Sequence, residues 1–86
     1  MTIKYSRNAL KFLNKLDKNT VKRIRDGIAK LTLKPAQGDI ATMQGYSDGR
    51  KRLRIGTYRV IFRYDEQENV EVLFVIDIGN RGDIYK

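Results

Sequence analysis

The chain has 86 residues, with 18 Lys and Arg against 10 Asp and Glu for a formal charge of +8, and it contains neither histidine nor cysteine. Those two absences exclude a disulfide framework, the common zinc sites, Ser-His-Asp or Cys-His catalysis and the usual general base near neutral pH. No apolar run approaches the roughly 20 residues a membrane span needs, so the expectation is one cytoplasmic domain over residues 1–86. It should need no cofactor or metal, avoid membranes and meet an acidic partner.

Thr2 to Tyr5 reads as a short strand, and Ser6 is placed to cap a following helix. Over residues 7–16, Ala9, Phe12, Leu13 and Leu16 share one helical face with Leu10 at its edge, and Arg7, Lys11 and Lys15 line the other. Asp17, or Thr20 slightly later, can cap a second helix. There Val21, Ile24, Ile28 and Leu31 repeat at helical spacing, opposite Arg23, Lys30 and Lys34. Gly27 costs about 1 kcal/mol relative to Ala inside a helix, a sign of close packing. Pro35 ends this helix, and residues 36–49, rich in Gly, Asp and Ser, read as a loop.

Three strands follow, at about 50–55, 57–65 and 69–78. Gly56-Thr57 predicts a tight hairpin and residues 65–69 a short polar loop; Gly56 and Gly79 read as turn glycines. In the middle strand Tyr58, Val60, Phe62 and Tyr64 share a face opposed by Arg59, Ile61 and Arg63. In the last, Val72, Phe74, Ile76 and Ile78 share one face. The apolar faces match what a helix hairpin requires. The predicted fold is α+β: a two-helix hairpin packed on one face of a small antiparallel sheet of about four strands, with the other face exposed.

Charge is unevenly placed. Residues 1–34 carry ten Lys and Arg and two Asp, while the rest of the chain sums to zero. Within that neutral part, the segment from Arg50 to Arg63 holds six basic residues and no acid. Strand alternation puts Arg50, Arg52 and Arg54 on one face, away from Leu53 and Ile55, where Arg59 and Arg63 can join them. Guanidiniums so crowded repel one another unless an anion, usually phosphate, lies between them. The exposed face is therefore expected to bind a polyanion, with Lys51 nearby but of the wrong strand parity. Lys11, Lys15, Arg23 and Lys30 on the helices form a second basic stripe, either a solvated face or further phosphate contacts.

With these residues in view, the chain resembles the RelE/ParE superfamily of bacterial toxins, the toxic halves of toxin and antitoxin pairs. The likeness spans nearly the whole chain. It is strongest at Arg54-Ile55-Gly56-Thr57-Tyr58-Arg59-Val60-Ile61-Phe62 and at Ile78-Gly79-Asn80-Arg81-Gly82-Asp83-Ile84-Tyr85. The resemblance, to the RelE-like branch above all, implies a microbial ribonuclease architecture that cuts messenger RNA in the A site of the 30S subunit without a metal. It also implies contacts to ribosomal RNA, neutralisation by a cognate antitoxin, and operator DNA reached only through the antitoxin complex. Carried over residue by residue, the catalytic set falls on Arg50, Arg52, Arg59, Arg81 and Tyr85, with Arg54, Lys51 and Arg63 as RNA contacts. Lysines stand at the first two positions of the best-known member; Arg50 and Arg52 cannot release a proton.

Metal-free cleavage must activate a 2′-hydroxyl, stabilise charge on the phosphorane-like transition state and help the 5′-oxygen leave. Arg59 and Arg81 suit the second task. Tyr85 is the titratable group that also carries the resemblance, its ordinary pKa of about 10 lowered by neighbouring guanidiniums, unless it stacks on a base instead. The rivals are a ParE-type toxin that poisons DNA gyrase without this cleavage set and a non-catalytic RNA-binding domain. The second is disfavoured by the few aromatics expected on the exposed face.

Overall fold

The computed structural model describes residues 1–80, so Arg81 and Tyr85 lie outside the described residues. The elements are β1 (Thr2–Tyr5), α1 (Arg7–Asn14), α2 (Lys18–Ala29) with a 3₁₀ turn at Lys30–Thr32, β2 (Asp39–Thr42), β3 (Lys51–Ile55), β4 (Tyr58–Gln67) and β5 (Val70–Asn80). Both helix starts follow from their caps. The Ser6 hydroxyl accepts from the Ala9 N–H at 3.0 Å, and an Asp17 carboxylate oxygen accepts from the Thr20 N–H at 3.1 Å. Asp17, rather than Thr20, is thus the cap of α2. No helix among the described residues is long and apolar enough to cross a membrane.

The α+β architecture is the expected one, with two differences in the sheet. It has five strands in the order β1-β5-β4-β3-β2, and β1 runs parallel to β5 while the other pairs are antiparallel. The additional strand, β2, lies in the stretch that composition marks as loop. Its register on β3 sets Asp39 opposite Arg54 and Ala41 opposite Arg52. A four-residue strand flanked by Gly, Asp and Ser carries too short an alternation to be recognised from composition. It becomes a strand because β3 offers it a free edge. Both later hairpins are two-residue turns. Gly56 takes a positive φ of 59° in the first, and Glu68 and Asn69 take 50° and 66° in the second, the backbone such turns require.

The helices cover one sheet face. Ala9, Leu13, Ile24, Ile28 and Leu31 pack on Leu53, Val60, Phe62, Leu73, Val75 and Ile78. Each fully buried Leu, Ile or Phe contributes about 1.5–3 kcal/mol. The close packing expected at Gly27 is real, since a Cβ there would lie 2.6 Å from Ile55 Cδ1.

The last strand departs from the sequence reading. Ile61 pairs with Asp77 but Phe62 pairs with Val75, so Ile76 is an extra residue in β5, a β-bulge. The bulge shifts the phase of alternation. Leu73, Val75 and Ile78 face the helices, whereas Val72 and Phe74 join Asp77 on the outer face. Ser6 anchors the irregularity, because its N–H donates to the Val75 carbonyl at 2.9 Å and its hydroxyl donates to the Ile76 carbonyl at 2.6 Å. Gly79, expected in a turn, lies in β5 opposite Arg59.

Replacing Ser6 removes the α1 cap and leaves the Ile76 carbonyl without its donor. Ser6→Ala is expected to lower the unfolding free energy by about 1–3 kcal/mol, measured by urea denaturation of the purified protein. A loss of only a few tenths would show that this residue is not the anchor.

Candidate functional site

The outer sheet face is built from the residues that alternate away from the core. β3 contributes Arg52 and Arg54, and β4 contributes Arg59, Ile61 and Arg63. Phe74 and Asp77 come from β5, Lys4 from β1 and Asp39 from β2. Arg54 and Arg59 are direct cross-strand partners, which puts their Cα atoms roughly 5 Å apart. Arg52 faces Ile61, which is only 4% exposed even though the helices lie on the other side. The fold therefore brings Arg52, Arg54, Arg59 and Arg63 together, as alternation predicts.

The sequence reading expects an anion, usually phosphate, between these guanidiniums; the fold itself returns carboxylates to them. Asp39 lies 3.6 Å from both Arg52 and Arg54, and the Arg52 side chain, 13% exposed, also donates to the Asp39 carbonyl at 3.4 Å. Arg63 pairs with Asp65 at 3.2 Å and lies over the Phe74 ring, 4.8 Å from its centroid, with Lys4 at 5.9 Å from the same ring. Arg50 directly precedes β3, where the pairing of Lys51 with Phe62 sets it beside Arg63. Its guanidinium is clasped by Asp48, Nη2 to Oδ2 at 2.8 Å, and lies 4.2 Å from the Tyr46 ring centroid. The Arg59 Nε is buried at the sheet surface.

The remaining expected contacts lie elsewhere. Lys51 pairs with Phe62 and shares its helix-side parity. Lys11 and Lys15 are exposed on and just after α1, on the layer that covers the opposite face. Arg23 and Lys30 line a cleft of about 450 Å³ between α2 and β3 that Arg54 also borders. There the Arg23 guanidinium closes over Gly56, so that a side chain at this turn would collide with it. Among the described residues no cluster of three or more carboxylates is arranged to hold a metal ion. Two residues absent from the sequence reading of this face are Tyr46 and Phe74. Tyr46 lies in a stretch whose composition reads as loop, and Phe74 falls on the core side of an unbroken alternation, in which nothing marks the bulge.

The Asp48–Arg50 fork has a measurable electrostatic signature. Hydrogen bonds from the Arg50 side chain and backbone, with the charges of Arg50 and Arg63, hold the Asp48 carboxyl down at about 2 from an ordinary 3.8. The carboxylate's contribution to stability is thus complete above pH 4 and is lost as pH falls through about 2. A carboxyl-detected NMR titration should place the Asp48 midpoint near 2, and Arg50→Ala should return it towards 3.8. A midpoint unmoved by the substitution would refute the pairing.

Comparison with known proteins gives this face a family. The sequence profile described as "ParE toxin of type II toxin-antitoxin system, parDE" matches residues 3–85. No curated protein sequence is significantly similar to the chain. Among solved structures, the RelE of an archaeal RelE-RelB complex from Pyrococcus horikoshii is 26% identical, with a TM-score of 0.72 over 95% of this chain and 96% of that one. A YoeB/ParE toxin from Agrobacterium tumefaciens is 22% identical with a TM-score of 0.72, covering 94% and 99%. A chain of the RelBE2 toxin-antitoxin complex of Mycobacterium tuberculosis, 18% identical, aligns at 0.71 over 93% and 96%. The last two likenesses speak for the fold alone. With the profile spanning all but the chain's extremities and the fold agreeing, the protein belongs to the ParE toxin family of type II toxin-antitoxin systems, within the RelE/ParE superfamily.

Proposed function

We propose that this toxin is a metal-independent endoribonuclease that cuts messenger RNA against its outer sheet face, in the ribosomal A site, and so arrests translation. The observation that carries the reading is the cross-strand pairing of Arg54 with Arg59, on the face where Arg52 and Arg54 also gather around Asp39. Guanidiniums brought this close present several charge-assisted donors to one bridging anion. A phosphodiester is such an anion.

In this reading Arg59 and Arg81 hold the scissile phosphate and stabilise the charge that develops on it. Arg52 and Arg54 flank them, and Tyr85 is the group that exchanges a proton. Arginines cannot do so, and the ribosome supplies the in-line geometry that the protein's sparse acid-base set does not. Cleavage of naked messenger is accordingly weak. Lys11, Lys15, Arg23 and Lys30 contact ribosomal RNA phosphates from the helix layer. The RelE from P. horikoshii was solved in complex with RelB, which supports a cognate antitoxin as the second partner of this toxin, with operator DNA engaged only through it.

Membership of the ParE toxin family favours a second reading, the gyrase-directed toxin that the resemblance also allows. That activity has no need of Arg59, Arg81 and Tyr85 as a cleavage set. Induced expression followed by mapping of messenger 5′ ends separates the two. The nuclease reading expects cuts within translated messenger that fall about 10²–10³-fold in Arg59→Ala and in Arg81→Ala and are reduced in Tyr85→Phe. Growth arrest with intact messenger and gyrase-linked DNA breaks would instead establish the second reading.

A further inference from the structure

The loop before β3 contains an arrangement that the cleavage chemistry does not use. Gly45 and Gly49, at φ 85° and 76°, bracket a segment that folds back on itself. Asp48 grips the Arg50 guanidinium by its Nε and Nη2 edge, at 3.1 and 3.2 Å from Nε and 2.8 Å from Nη2. A carboxylate fork of this kind fixes the plane of the guanidinium, and the Arg50 side chain keeps its remaining N–H donors for other acceptors. That fixed cation lies over one face of Tyr46, 4.2 Å from the ring centroid. Tyr46 is nevertheless 48% exposed, so the rest of the ring stands in solvent, held in orientation but not covered.

A rigid, half-exposed aromatic backed by a planar cation is suited to receive another flat ring. Its position tells which. β3 pairs Lys51 with Phe62, so Arg50, one residue earlier, comes beside Arg63, one residue later, which places the loop beside the arginine face. Along the strand, Arg50 is four residues from Arg54, roughly 13 Å, a span of a few nucleotides. We propose that Tyr46 and Arg50 form a stacking platform for one base of a single-stranded RNA whose backbone crosses the outer sheet face, with Arg63 contacting the phosphate beside it.

The proposal rests on the nuclease reading and deepens it, by naming where a base near the cut is gripped. It also gives Arg50 a role that needs no proton transfer. Stacking of this kind tolerates any base, because every base has a π face, so the platform adds affinity and register rather than a strict sequence code.

The test uses the full chain and a single-stranded RNA of about ten nucleotides, 2′-O-methylated throughout so that it cannot be cut, with a parallel series carrying one abasic position each. Fluorescence anisotropy at low salt should show Tyr46→Ala binding the intact strand roughly ten- to a hundredfold more weakly than wild type. Tyr46→Phe should bind like wild type. One abasic strand should bind wild type as weakly as the intact strand binds Tyr46→Ala, and should show no further loss with that variant. Equal binding of the intact strand by wild type and Tyr46→Ala overturns the platform and leaves the nuclease reading standing. If the wild type binds no strand at all, the platform is overturned, while the nuclease reading, which concerns ribosome-held messenger, is decided by the mapping of messenger 5′ ends.

Discussion

Ser6 makes three hydrogen bonds on which the layout of the molecule depends. Its hydroxyl accepts from Ala9 to start α1 and donates to the Ile76 carbonyl, and its N–H donates to the Val75 carbonyl. β1 and β5, which pair in parallel, are thereby tied to the helix layer at the point where β5 carries its extra residue. One residue inserted into one strand turns Phe74 outward and keeps Ile78 inward. The sheet then presents a continuous apolar face to the helices and a mixed cationic and aromatic face to solvent. Both faces depend on the same bulge.

The outer face is preorganised by its own carboxylates. Asp39, Asp48 and Asp65 hold Arg52, Arg54, Arg50 and Arg63 in place, which orients these guanidiniums and offsets part of their mutual repulsion. Exposed pairs of this type contribute little to stability; their effect is on geometry. The excess positive charge lies instead in residues 1–34, which make the helix layer and β1. The net positive charge and its field thus belong to the helix layer, while the outer face carries a nearly balanced, ordered arginine set.

Much of the site was readable from residue order because strand alternation is a local property. Arg52, Arg54, Arg59 and Arg63 reach one face for the same reason that Leu53, Val60 and Phe62 reach the other, and the two-residue period holds wherever the strand is regular. What alternation does not reveal at Arg50 is that Asp48 and Tyr46 engage its side chain. Tyr46 and Phe74 escaped alternation because a loop has no period and a bulge breaks one. The carboxylate partners were hidden for another reason. Asp39 precedes Arg52 by thirteen residues, and only the β2–β3 register brings the two together.

By itself the sequence determined the two amphipathic helices, the cap at Ser6, a choice of Asp17 or Thr20 for the second cap, the β3–β4–β5 meander, the side of β4 that carries arginine and the family signature running into the last residues. All of these are set by neighbours a few positions apart, through periodicity, capping and turn chemistry. Tertiary structure alone decided that β2 would be a strand, that β1 would run parallel to β5, that β5 would change phase at Ile76 and that each arginine would meet the aspartate it now holds. Those outcomes depend on which edges and carbonyls are left open once distant segments meet, and no local pattern of side chains records that.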